Sequence, residues 1–125
     1  MRFFPAQLRA ALILSGLAVL AARPAAADPL FGPNTYEITD QTVYDESFAS
    51  PSAGNFALWV QNGDDGDSGV TSATVTLNGV NVVSDSDFGD RELFAKKVTL
   101  LAGDNNLSVS LTGDPGTFLT LMILP

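Results

Sequence analysis

The sequence predicts an all-β protein: a two-sheet antiparallel β-sandwich of about eight strands, preceded by a cleavable signal segment. Three observations predict it. After Pro33 no helical period appears, and apolar residues instead alternate with polar ones in short runs. Clusters of Gly, Asn, Asp and Pro interrupt those runs at intervals of roughly 8–12 residues, the spacing of sandwiches and barrels. Residues 1–27 differ in kind from all that follows, with three of the six basic residues and none of the 14 acidic ones.

That leading segment has Arg2 and Arg9, an apolar stretch from Ala10 to Ala22, and the small residues Ala25-Ala26-Ala27. A basic start, a short apolar core and an A-x-A end form a secretory signal. The apolar stretch is shorter than the ~20 residues of a membrane span. Cleavage after Ala27 would remove 27 of 125 residues and leave 98, with three basic residues against 14 acidic, a balance of −11. The expected product is exported, to a periplasm or outside the cell, with no transmembrane anchor after cleavage. Residues 28–35 are expected to form a flexible N-terminal segment and residues 36–125 the sandwich domain.

The elements follow in order. Asn34 to Thr39 makes a weak first strand. Thr42 to Ala49 makes a second, with Tyr44, Glu46 and Phe48 on one face. Ser50 to Gly54 breaks it. From Asn55 to Gln61 both faces carry apolar residues, Phe56, Leu58 and Val60 on one and Ala57 and Trp59 on the other, which predicts a central strand. A polar loop, 62–69, follows. Asn78-Gly79 then joins two β-rich arms, and a type I′ turn needs positive φ at both central residues. Val75 and Leu77 on the first arm, and Val80 and Val82 on the second, are expected to face the core. An acidic connection leads to a strand at Glu92 to Leu100, a half-buried strand around Leu107, Val109 and Leu111, and a last strand with Leu119, Leu121 and Ile123 inward.

The pieces LWVQNGD (58–64), SATVTLNGV (72–80), SDF (86–88), VTLLAGDNNLSVSL (98–111) and GDPG (113–116), with the final LT strand, carry a resemblance. From about Asn55 to Leu124 the chain resembles a β-sandwich module of exported bacterial proteins, found alone behind a signal peptide or beside repeat domains. The leading LFGPNTY (30–36) fits it as well. The resemblance implies an Ig-like or jelly-roll architecture and no settled activity. One departure is the loop DDGDSGV (64–70), where such modules carry a basic or amide residue.

Composition excludes several functions. With neither His nor Cys there is no Ser-His or Cys-His nucleophile and no imidazole or thiolate metal site. A charge of −11 excludes a nucleic-acid surface. A carboxylate pair for glycoside chemistry needs a cleft, and the acids here sit in turns. Two non-catalytic classes remain. The leading one is an exported interaction or assembly domain at the cell surface or in the periplasm, with a protein partner. Its flexible arm could add a strand to a neighbour. The alternative is a carbohydrate-binding module for a surface glycan, in which Trp59 and Tyr44 supply rings and Gln61 and Asn62 supply polar groups. Against it stands the packing of Trp59 in the core, the commoner fate of a large aromatic. Calcium is the one cofactor to consider. Asn62, Asp64, Asp65 and Asp67 place oxygens within six residues, and calcium accepts such irregular loops. An acid-and-glycine loop is also simply a good turn. Asp85, Asp87 and Asp90 form a second, weaker cluster.

Overall fold

The computed structural model describes residues 28–64, 67–89 and 91–125. The segment 1–27, expected to be a signal, therefore lies outside the described residues. Eight strands run in chain order: β1 (Phe31–Glu37), β2 (Val43–Ser50), β3 (Gly54–Asn62), β4 (Ser72–Leu77), β5 (Val80–Val83), β6 (Leu93–Leu100), β7 (Gly103–Thr112) and β8 (Phe118–Leu124). One 3-10 turn, Asp85–Asp87, links β5 to β6. They form two four-stranded sheets, ordered β1-β8-β3-β6 and β2-β7-β4-β5, with every neighbouring pair antiparallel.

The topology follows from one hairpin folded over on itself. β4 and β5 pair at the centre, β3 pairs with β6, β2 with β7 and β1 with β8. Rolling that ladder places alternate pairs in opposite sheets and makes a jelly roll, one of the two architectures the resemblance implies. The core is the layer between the sheets. From the first sheet Leu58, Val60, Leu119, Leu121 and Ile123 enter it; from the second, Val75, Leu77, Leu107 and Val109. As the two apolar faces of its sequence predict, β3 is central, flanked by β8 and β6.

The hairpin turn has φ 51° at Asn78 and 83° at Gly79, as a type I′ turn requires. Val75 and Leu77 are buried as expected. Val80 is not: it is 62% exposed, and Val82 is only partly buried. Val80 shares a face with its partner Leu77 but stands beside the turn on the edge strand β5, where solvent reaches it; Val82 is displaced by the register. Leu77 pairs with Val80 and Thr76 with Asn81, but Val75 pairs with Val83. The extra residue is a bulge at Val82, which turns Val83 to the core in its place. Gly79→Val should lower stability by about 1–2 kcal/mol, the cost of an L side chain at positive φ. A thermal melt unchanged within a degree would contradict the turn.

The N-terminal boundary also differs. β1 begins at Phe31, inside the segment 28–35 expected to be flexible, and Phe31 is buried and packs against Phe48 with ring centroids 4.9 Å apart. The pairing of β1 with β8 is irregular between Phe31 and Asn34, around Gly32 and Pro33. Two residues that read as chain breakers form a bulge in a paired strand.

Candidate functional site

β3 supplies the candidate site because its alternation aims Leu58 and Val60 inward and Trp59 and Gln61 outward. Trp59 is 36% exposed on the outer face of the first sheet. The expectation that it packs in the core fails there, since among the described residues no third layer covers that face. Its cross-strand neighbours are Met122 of β8 and Ala95 of β6, and those of Gln61 are Thr120 and Leu93. With Pro33 of β1, these form a shallow depression of about 340 Å³ lined by Pro33, Trp59, Gln61, Leu93, Thr120 and Met122. It is assembled from all four strands of the sheet. The Thr120 hydroxyl is 2.9 Å from that of Thr35. The lining is uncharged: one indole, one amide, one hydroxyl and apolar side chains.

The other two residues expected beside Trp59 are elsewhere. Tyr44 belongs to β2 in the second sheet, where its ring packs on Tyr36 at 5.3 Å and its hydroxyl donates to the Glu37 carbonyl at 2.6 Å. Tyr36 in turn donates to Glu46 at 2.9 Å, and burial together with that carboxylate raises the Tyr36 hydroxyl well above its ordinary pKa. These tyrosines close the gap between β1 and β2. Asn62, at the end of β3, clamps the following loop. Its Nδ2 donates to the Val70 carbonyl at 2.9 Å and its Oδ1 accepts the Val70 N–H at 2.7 Å.

The rest of the loop is tied in the same way. The Ser68 hydroxyl accepts the Asp64 N–H at 2.8 Å and donates to Asp64 Oδ1 at 3.0 Å. Gly63 donates to the Phe118 carbonyl, and Phe118 to that of Ser68. Asp67 is exposed, and Asp65 lies outside the described residues. In the second acidic cluster, Asp87 accepts from Lys96 Nζ at 2.7 Å and from the Ser84 N–H at 2.9 Å. Lys96 first, then the Ser84 amide, hold the Asp87 carboxyl below its ordinary pKa. Asp90 lies outside the described residues. Among the described residues no three acidic side chains converge as a metal site would need.

No protein-family model and no curated protein matches the chain. Solved structures of β-sandwich modules do. One is a family 35 carbohydrate binding module from Clostridium thermocellum, 17% identical, with a TM-score of 0.44, covering 66% of this chain and 68% of that one. Another is a family 35 module from an environmental isolate, 15% identical, with a TM-score of 0.45 and 80% of each chain covered. A third is the CBM35 of Cellvibrio japonicus Abf62, 16% identical, with a TM-score of 0.43 and again 80% of each covered. Likeness at this level carries no argument about what this chain binds. Among the described residues no helix is long and apolar enough to cross a membrane.

Of the residues lining this depression, sequence reasoning named Trp59 and Gln61 and did not name Pro33, Leu93, Thr120 and Met122. Thr120 and Met122 alternate with the core residues Leu119, Leu121 and Ile123, so they share the outer face of β8. The pairing of β8 with β3, which sets them beside Trp59, carries no local signal.

Proposed function

We propose that this domain is a non-catalytic carbohydrate-binding module, and that it binds its glycan on the outer face of the first sheet, around Trp59. One observation carries the reading: a tryptophan stands exposed at the middle of a regular sheet face, with an amide two residues along its own strand and a hydroxyl on the adjacent one. A pyranose offers an apolar face of C–H groups and a rim of hydroxyls. The indole supplies a flat apolar partner, and Gln61 and Thr120 supply donors and acceptors at its edge. The depression is assembled from all four strands of the sheet, which suits a run of a polysaccharide laid across them. Its uncharged lining suits a neutral sugar. The segment 1–27 supports placing this work outside the cytoplasm.

Trp59 is the only tryptophan, so its fluorescence reports on the site directly. Titration with a panel of neutral polysaccharides should change that emission, and retardation in gels carrying the same polymers should accompany it. Trp59→Ala should weaken binding about tenfold or more, the loss of one central aromatic anchor. Its melting temperature should move little, because the ring is not part of the core. Emission and mobility unaffected by every polymer would overturn the reading.

A further inference from the structure

A sandwich has four open strand edges, and here they are unequal. β1 carries Pro33 and an irregular register. β5 has four residues and pairs through a bulge. Prolines, bulges, short strands and charged side chains are the usual means of blunting an edge. Of these, β2 and β6 carry only charges. Each is eight residues long, pairs with one neighbour in unbroken register, and leaves its other edge open among the described residues. Their charges are opposite. β6 carries Lys96 and Lys97 and no acid; β2 carries Asp45 and Glu46 and no base.

We propose that the protein associates with further copies of itself, head to tail, by antiparallel pairing of β2 of one copy with β6 of the next. Setting Asp45 opposite Lys97 also places Val43 opposite Thr99 and Ala49 opposite Leu93. All six side chains lie on the exposed outer faces of their strands, with Val43 48% and Leu93 57% exposed. Opposite charges across a strand pair stabilise it and like charges oppose it. Pairing of β6 with β6, or β2 with β2, gathers like charges, so the charge pattern selects the unlike pair. The two edges lie on opposite sides of the sandwich. β2 is on the side where Tyr36 meets Tyr44, and β6 on the side where Val82 and Val98 line one groove. A second copy thus leaves one β2 and one β6 free, and the assembly is an open chain rather than a closed dimer.

Sedimentation velocity tests this. The unaltered protein should sediment faster as its concentration rises. Lys97→Glu alone and Asp45→Lys alone should each raise the dissociation constant about tenfold, since each puts like charges opposite one another. An equimolar mixture of the two variants should regain the association, because the edges of one then complement those of the other. Both positions are exposed, and circular dichroism should show both variants folded. One sedimenting species at every concentration of the unaltered protein would overturn the proposal, as would a mixture no more associated than its components.

Discussion

Asn105→Ala should lower the stability of the domain by about 3 kcal/mol, which for a domain near 100 residues is a fall in melting temperature of over ~10 °C. Asn105 is fully buried at the start of β7. Its Oδ1 accepts the Leu101 N–H at 2.9 Å and Nδ2 of Asn78 at 2.8 Å. Its Nδ2 donates to the carbonyls of Leu101 at 3.0 Å and Gly103 at 3.1 Å. Alanine leaves four groups without that partner. Water can reach some of them, because Leu101 is 54% exposed, so the loss stays below the sum of four buried penalties. Asn105→Asp is the sharper variant. It keeps the shape but replaces a donor with a carboxylate oxygen facing two carbonyls. Thermal melts of both variants check this, with aspartate expected to be at least as damaging as alanine. A shift below about 3 °C for either would show that the side chain is not the brace between the β6–β7 turn and the β4–β5 hairpin.

The roles that sequence reasoning identified are those fixed by near neighbours. Alternation of Leu119, Leu121 and Ile123 with polar or half-exposed residues gives a strand and its buried face, because side chains alternate with period two whatever lies beyond. Asn78-Gly79 gives its turn because few residues accept positive φ at two successive positions. Roles that depend on what lies across the fold were not legible. Trp59 sits on a strand apolar on both faces, and among the described residues no third layer covers its face. Asn105 reads as one more polar residue in a turn, and its importance appears only where Asn78 comes to meet it. Val83 takes the core place expected of Val82 through a bulge that the alternation cannot signal. In loop 62–69 the glycines and acids read alike as turn or ligand; in the described part, Asn62 and Ser68 spend their polar atoms holding the loop.

Gly32→Ala, in β1, should lower stability by about 3 kcal/mol. Gly32 has φ 79°, in the left-handed region that costs an L residue about 1–2 kcal/mol. A Cβ there would also collide with the Leu121 carbonyl oxygen and stand 2.9 Å from the Asn34 amide nitrogen and 3.2 Å from Met122 Cα. Every one of these is a backbone atom, two of them in β8, which is held between β1 and β3. None can yield as a side-chain tip would, so overpacking adds about 1–3 kcal/mol. Gly79 separates the two causes. It has a similar φ of 83°, but a Cβ there meets nothing within 4 Å. Gly79→Ala should therefore cost the backbone term alone, and chemical denaturation of the two alanine variants should show Gly32→Ala as the less stable by at least 1 kcal/mol. Equal losses would mean that β1 does not approach β8 in this way. The same substitution also reaches the proposed binding face, because Pro33 lines the depression beside Trp59. A folded fraction of Gly32→Ala should bind polysaccharide more weakly than the unaltered protein, whereas Gly79→Ala, on the other sheet, should bind as before.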